Sequence, residues 1–330
     1  MTVHLTDTHL VEEAIIVAAN RQLRPDHPVL RLLYPHWQKT LSLNAAARLT
    51  LVPFVILDLI GFKTEEAQNF IKHAYDDFNF TEQYVPNDLK RRGFPPEKLN
   101  EKKYHNYTYA RCIDSMWHKI HTYVEDMLKI KYKSSDRDAE VKNDAEVQAW
   151  SEEMRSQQGA RLKSFPTLST FNNLVDCVTM CIHIASPQHT AVNYLQNYYQ
   201  SFVINKPSAL YSEPPDTLEK LYAFKEDDLV QALPMNHPQD WLLASHIPYL
   251  LSFKPGEKES LIIYAASKYH VYKAKTQPDE VKTKEAAALF YSALAKSKKE
   301  FQGYAAAADE SDVLMYEVLN PDWNAVSILI

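Results

Sequence analysis

Residues 186–193 read Ser-Pro-Gln-His-Thr-Ala-Val-Asn and follow a strongly apolar stretch, residues 169–185. His189 and Asn193 are four positions apart, and side chains at i and i+4 of an α-helix lie on the same face. An imidazole and an amide oxygen placed in this way can reach one metal ion. The stretch therefore predicts a helix at the centre of the molecule that carries two candidate metal ligands.

A second histidine pair stands at the amino-terminal end of the chain. His4 and His9 are five positions apart and would diverge by about 140° on a regular α-helix. A local π-type bulge would return them to one face, and such bulges are common at functional sites. Most of the thirteen histidines need no special role. The spacing alone is therefore a weak indication of a site for iron, copper, nickel or zinc.

The composition favours one large helical core. The chain has 330 residues, 45% of them hydrophobic, and a length compatible with one or two domains. Helical periodicity dominates and alternating strand patterns are weak, which predicts a single all-α domain over residues 1–330. The five glycines stand apart from one another. This spacing excludes a glycine-rich phosphate loop, a dinucleotide-binding fingerprint and a nucleophile elbow.

Charge and cysteine content restrict the partners and the compartment. The net charge of −6 disfavours nucleic acid, because phosphate binding needs a clustered positive field. Three cysteines are too few for a disulfide framework, which favours a reducing, cytoplasmic location. The longest apolar run, residues 49–62, includes Asp58 and is too short for a membrane span. It predicts a buried helix or a pocket wall in a protein that is soluble, or at most peripheral to a membrane.

Periodicity and end signals also predict the positions of individual helices. Thr64 has the chemistry of an N-cap before acidic residues of a first turn, and Pro187 is expected to begin a new turn. Residues 206–215 are proline-rich and predict a surface loop. The expected helices cover residues 9–23, 37–51, 64–78, 112–131, 140–155, 169–185, 187–201 and a final stretch around 286–299.

Several short motifs resemble those of one known family. They are Thr8-His9-Leu10, Arg21-Gln22-Leu23, His27-Pro28, Leu32-Leu33, Pro35-His36, Asn44-Ala45-Ala46-Ala47-Arg48, residues 144–150, residues 186–193 and Asn205-Lys206-Pro207. In this order they resemble the metal-binding part of a lipoxygenase catalytic domain, and the fungal branch most closely. The resemblance extends over the whole chain. It implies a lipoxygenase-like helical domain that lacks its amino-terminal portion.

The resemblance implies a metal site with five ligands. Its members would be the imidazoles of His4, His9 and His189, the amide oxygen of Asn193, and the terminal carboxylate of Ile330. Iron is the expected cofactor, one per chain, with manganese as the alternative. Gln196 would orient the Asn193 amide. The ending Asn324-Ala325-Val326-Ser327-Ile328 is also similar to the family's usual end, but Leu329 and Ile330 follow it, and Ile330 is favoured.

The same resemblance implies the reaction. A hydrogen atom would leave a bis-allylic carbon of a polyunsaturated fatty acid, and O2 would add to give a hydroperoxide. The family's small residue that tracks product stereochemistry corresponds to Ala47, for which the expected product is S-configured. The family's pocket-floor residues correspond to Leu59, Ile60 and Phe62, although the sequence alone allows these to be ordinary core.

Three alternatives remain open from the sequence. The same fold could convert a preformed hydroperoxide or a specialised lipid. A non-catalytic remnant could instead bind apolar ligands or a partner chain, because helices that precede the first ligand in typical lipoxygenases are absent from the sequence. A zinc site at Cys177, Cys181 and His183 is a weaker possibility, since buried free cysteine is common.

Overall fold

The computed structural model describes residues 2–252, 255–308 and 316–329, and these form a bundle of helices without strands. One isolated antiparallel bridge joins Ser260 and Ala325. The α-helices are α1 (Val11–Gln22), α2 (Pro28–Leu33), α3 (Thr40–Ala46), α4 (Leu57–Ile60), α5 (Thr64–Asp77), α6 (Val85–Arg91), α7 (Thr108–Lys131), α8 (Arg137–Lys142), α9 (Ala145–Arg155), α10 (Phe171–His183), α11 (His189–Asn193), α12 (Gln196–Gln200), α13 (Leu218–Ala223), α14 (Glu226–Ala232), α15 (Pro238–Leu251), α16 (Leu261–Tyr272) and α17 (Pro278–Ala306).

Three π-helical segments interrupt this pattern, each next to an α-helix. They are π1 (Thr2–Leu10), π2 (Ala47–Ile56) and π3 (Ile184–Gln188). Short 3-10 turns occupy Tyr34–His36, Pro96–Lys98, Val203–Asn205, Pro234–Asn236 and Glu257–Glu259. In a π-helix the backbone hydrogen bonds join residues five apart instead of four. The wider turn changes the direction of the side chains that follow.

The core forms around α7, which packs against α10 and α17. Apolar residues at helical spacing on α7 (Ile113, Met116, Ile120) are fully buried, as expected for an amphipathic stripe. Tyr123 of the same helix stacks on Phe290 of α17, with ring centroids 4.4 Å apart. One cluster of buried side chains extends from α1 to the carboxyl-terminal segment. The assignment of residues 1–330 to a single domain stays a prediction.

The expected helices are confirmed in outline, with several corrections at their ends. Lys63 rather than Thr64 precedes the first turn of α5, and its N–H donates to Glu66. Pro187 does not begin a new turn: α10, π3 and α11 are consecutive, because the wider π turn accommodates a residue that lacks an N–H. Residues 140–155 contribute to two helices, α8 and α9, and residues 187–201 to α11 and α12. The helices α2, α6 and α13 to α16 were not anticipated.

The interpretation of residues 49–62 as a buried helix is wrong. No residue of π2 is buried, and Leu49 and Phe54 are 73% and 71% exposed. The continuous helix Thr40–Ile60 has 21 residues, and an 18-residue window within it has a mean hydropathy of 1.7 with 11% of its residues buried. By length and composition alone it could cross a membrane, a criterion that core helices of soluble proteins also meet. The expectation of a chain without a transmembrane segment stays a prediction.

A histidine is buried in the core away from the other candidate sites. His183 ends α10 and is only 4% exposed, and its ring meets Trp117 edge-on at 5.7 Å. Burial lowers the pKa of His183 from 6.5 to about 3, because the charged ring loses its hydration. Between these values the unfolded chain binds one more proton than the folded chain.

We therefore expect the His183 contribution to stability to be complete above pH 6.5 and to be lost as the pH falls toward 3. Replacing His183→Phe should reduce the pH dependence of the unfolding free energy in this window by up to about 1.4 kcal/mol per pH unit. Urea titrations at several pH values, with a chelator present, measure the effect. His270→Phe, at an exposed position of α16, is the control. Equal slopes for the parent and His183→Phe would contradict the assignment.

Candidate metal centre

The π1 segment brings the amino-terminal histidine pair together. The Nε2 atoms of His4 and His9 are 3.3 Å apart, and their ring centroids are 5.1 Å apart. The hydroxyl of Thr8 donates to the carbonyl of Val3, five residues earlier, at 2.7 Å. In a π-helix, positions i and i+5 are neighbours. The predicted bulge is therefore confirmed, and it removes the divergence that a regular α-helix would impose.

The third histidine comes from the opposite side of the site. His189 opens α11, and its ring centroid lies 5.5 Å from that of His4 and 5.2 Å from that of His9. One ligand atom from each of the three rings lies within 4.8 Å of the others. Among the described residues, this is the group of three or more histidine, cysteine, aspartate or glutamate side chains able to hold a metal ion.

Burial keeps the three rings neutral. It lowers the pKa of His4 to about 3, with the neighbouring His9 adding to the effect. It also lowers the pKa of His9, and lowers that of His189 well below its ordinary value. A neutral imidazole offers a nitrogen lone pair, the form that binds transition metals.

The unsatisfied polar atoms at the site fit a bound ion. Both ring nitrogens of His189 are buried and have no hydrogen-bond partner among the described residues. A buried polar group without a partner is costly, and such groups are rare. Three neutral imidazoles and one amide suit a redox-active transition metal, especially with a carboxylate added.

A hydrogen-bond chain orients His9. The Nδ1 atom of His9 lies 2.8 Å from the Oδ1 atom of Asn44 in α3, so Nδ1 carries the proton and Nε2 is left for a metal. The Asn44 amide also donates to the His9 carbonyl at 2.8 Å and to Glu13 at 2.9 Å. Arg48 closes the chain by donating to Glu13 at 2.7 Å. Sequence reasoning quoted Asn44 and Arg48 as motif residues but assigned them no role.

Gln196 connects two of the proposed ligands. Its Nε2 atom donates to the Oδ1 atom of Asn193 at 2.8 Å, and the side chain also hydrogen-bonds His4. The Asn193 oxygen keeps a second lone pair, so this bond does not prevent it from binding a metal. The role of Gln196 in orienting the amide stays a prediction, as do the ligand roles of His4, His9, His189 and Asn193.

Ile330, proposed as the carboxylate ligand, lies outside the described residues. The segment before it is held inside the molecule: Ile328 is fully buried and Leu329 is 7% exposed. Asn324 and Ala325 of the same segment contact Thr190, the neighbour of His189, through hydrogen bonds of 3.0 and 3.1 Å. No role was predicted for Thr190 or Asn324 from the sequence, because no spacing rule connects positions so far apart.

The proposed substrate residues lie on one continuous helix. Ala47 follows Asn44 by about one turn and is half-buried, while Leu59 and Ile60 are half-buried in α4. Phe62 is 38% exposed and meets Phe70 edge-on at 5.7 Å. Their contact with a fatty acid stays a prediction. A cleft of about 410 Å3 lies elsewhere, between α7 and α17, and none of the three clustered histidines lines it.

The zinc alternative is wrong. The cysteines at 177 and 181 are free and fully buried, and burial raises the pKa of the Cys181 thiol well above its ordinary value. The His183 ring packs against Trp117 instead, and the described residues supply no third ligand beside the cysteine pair.

Comparison with known proteins agrees with this geometry. The lipoxygenase family model matches residues 1–250. The manganese lipoxygenase of Pleurotus sapidus is 46% identical over the whole chain, which covers 50% of that protein. Linoleate 9S-lipoxygenase 1 of Hordeum vulgare is 34% identical over 68% of the chain, which covers 27% of that protein.

The structure of a fungal lipoxygenase from Fusarium graminearum superposes with a TM-score of 0.91 and 41% identity. It matches all of this chain, which covers 54% of that structure. The chain thus spans about half the length, or less, of the relatives that it matches. Its helical fold is that of the lipoxygenase catalytic domain, and the chain belongs to the lipoxygenase family.

Proposed function

We propose that the chain is the metal-binding part of a dioxygenase that acts on polyunsaturated fatty acids and O2. The observation that carries the proposal is the cluster of three neutral imidazoles around His189, which is fully buried and whose two ring nitrogens have no hydrogen-bond partner among the described residues. Family membership supports the reaction class, and the name of the barley relative specifies linoleate for that protein.

In this proposal His4, His9, His189, Asn193 and the Ile330 carboxylate hold one ion. Asn44 keeps the proton of His9 on Nδ1, and Gln196 holds the Asn193 amide in place. A bound iron or manganese ion would supply the one-electron chemistry of fatty-acid dioxygenation. Iron is our first expectation from the ligand types. The name of the Pleurotus sapidus relative makes manganese the ion to measure beside it.

The metal assignment is tested by mass spectrometry of the freshly purified chain. We expect about one iron or manganese ion per chain in the parent protein, and loss of most of it in His189→Ala. His183→Phe is the matched control, because His183 is equally buried but lies outside the cluster. Full occupancy in His189→Ala would exclude this ligand set. Oxygen uptake with linoleate, but not with a preformed hydroperoxide, would separate the proposed reaction from hydroperoxide conversion.

A second prediction concerns Ala47. The resemblance associates alanine at this position with an S-configured hydroperoxide, and the structure places Ala47 one turn from Asn44 on a partly exposed helix. We expect Ala47→Gly to increase the share of the R product, because removing the methyl group opens space on that side. Ala45→Gly, at an exposed position of the same helix, carries the same backbone cost of about 1 kcal/mol. Chiral chromatography of the linoleate products measures the ratio, and an unchanged ratio in Ala47→Gly would contradict the role.

The exposed apolar surface favours a second function, binding of a partner chain. Leu49 and Phe54 of π2 and Leu242 and Tyr249 of α15 are 59–73% exposed, and α15 packs against α4 at the end of the same helix. We call these four residues the apolar face. Large exposed apolar patches usually mark interaction surfaces. The relatives are about twice as long as this chain or longer, so they contain sequence that could cover such a face.

Sedimentation velocity over a range of concentrations tests this second function. We expect the parent chain to associate with increasing concentration, and the double variant Leu49→Glu/Phe54→Glu to associate less, because charged side chains oppose burial of the face. Leu289→Glu, 64% exposed on α17, is the control. A parent chain that stays monomeric at every concentration would contradict partner binding through the apolar face.

A further inference from the structure

The carboxyl-terminal segment is fastened to the helix that carries His189. The Oδ1 atom of Asn324 accepts a hydrogen bond from Thr190 at 3.0 Å, and the Ser186 hydroxyl donates to the Ala325 carbonyl at 2.5 Å and lies 3.1 Å from the same Oδ1 atom. The Thr190 hydroxyl in turn accepts the N–H of Ala325 at 3.1 Å. These residues are at most 1% exposed. We call Ser186, Thr190, Asn324 and Ala325 the C-terminal anchor.

Three further bonds hold the same segment from its other side. The N–H of Leu261 donates to the Asn324 carbonyl at 2.7 Å, and the N–H of Val326 donates to the Glu259 carbonyl at 2.8 Å. The Nδ1 atom of His36 lies 2.7 Å from the Val326 carbonyl and donates to it. Residues 324–326 are therefore bonded to π3 and α11, to the start of α16, and to the turn before α3.

The pattern of donors permits one register of the segment. A shift by one residue would leave the Thr190 hydroxyl and the Asn324 amide oxygen without their partners in a dry interior. A buried polar group left without a partner costs about 1–3 kcal/mol. The side-chain bonds of the anchor therefore specify which residue of the segment faces Thr190, a choice that apolar packing alone would make weakly.

The anchor also limits how far the residues that follow Val326 can reach. Ile330 follows Val326 by four residues, and four extended residues span at most about 14 Å. Thr190, which forms hydrogen bonds with Asn324 and Ala325, directly follows His189 and precedes Asn193 by three residues. These buried hydrogen bonds therefore fix the position of residues 324–326 relative to His189 and Asn193, two of the proposed ligands.

From this geometry we infer that Ser186, Thr190 and Asn324 are positioning residues, which set the register of the carboxyl-terminal segment so that the Ile330 carboxylate reaches the ion held by the histidines. The inference rests on the proposed function, in which Ile330 is a ligand. It adds a role for three residues that do not themselves bind the ion.

The test compares metal retention with stability in Thr190→Val, which keeps the side-chain shape and removes the hydroxyl. The rate of metal release to a chelator should rise about 10- to 100-fold, the usual cost of losing a residue that supports a metal ligand. Thr283→Val is the matched control, because Thr283 is buried in α17 and donates to the Asp279 carbonyl at 2.8 Å, away from the cluster. Thr190→Ser retains the hydroxyl and should release metal more slowly than Thr190→Val.

Two further measurements distinguish an effect of Thr190 on the metal site from a general effect on stability. The melting temperature of the metal-free protein should fall similarly in Thr190→Val and Thr283→Val, while only Thr190→Val releases metal faster. Deleting Ile330 should accelerate metal release, and adding Thr190→Val to that deletion should have little additional effect, because both act through the same carboxylate. Ser186→Ala removes one hydrogen-bond donor, and it should accelerate metal release by a smaller factor than Thr190→Val.

The outcomes separate the inference from the proposed function. Metal release from Thr190→Val at the rate of Thr283→Val, or additive effects of Thr190→Val and the Ile330 deletion, would overturn the anchor while His189→Ala still loses its metal. A parent chain that holds no iron or manganese would overturn both. Loss of metal in His189→Ala, together with non-additive effects at Thr190 and Ile330, would establish the anchor.

Discussion

Three imidazole rings meet at one site, where His189 is fully buried and His4 and His9 are partly buried, and the surrounding structure keeps them uncharged. Protonation of these rings is penalised by burial, and for His4 and His189 also by neighbouring histidine charge. The two ring nitrogens of His189, which have no hydrogen-bond partner among the described residues, are expensive to bury. Burial of these unpartnered atoms destabilises the fold, and a bound metal ion would offset that loss of stability.

Backbone geometry resolves a conflict between helix periodicity and ligand placement. An α-helix brings positions i and i+4 together, which suits His189 and Asn193 but not His4 and His9. The π1 segment widens the turn where a pair is five residues apart, and π3 lies immediately before the other pair. Two of the three π segments thus adjoin proposed ligands, in agreement with the frequent use of such segments at functional sites.

Hydrogen bonds from neighbouring helices then determine the orientation of each ring or amide. Asn44 approaches His9 from α3, and Gln196 approaches Asn193 and His4 from α12. The Asn44 amide is tied in turn to Glu13 and Arg48. A metal site whose ligands are held in this way needs little rearrangement to bind, which lowers the entropic cost of assembling it.

Local sequence was sufficient to predict most of the helices, the helical face shared by His189 and Asn193, and the need for a π bulge between His4 and His9. These features follow from spacing along one helix, so neighbours within about five residues determine them. The family resemblance then supplied the combination of ligands. The burial of π2 was predicted wrongly, because an apolar run looks the same whether it is covered by the rest of the fold or left exposed.

Only the tertiary structure showed that His189 meets His4 and His9, that Asn44 selects the tautomer of His9, and that Asn324 is bonded to Thr190. These pairs are separated by 35 to 185 positions, and no periodic pattern along the chain relates them. Such contacts depend on how whole helices pack, which is set by the summed burial of many core side chains. The sequence determined which helices form and which faces carry ligands, and the packing of those helices decided which ligands share one site.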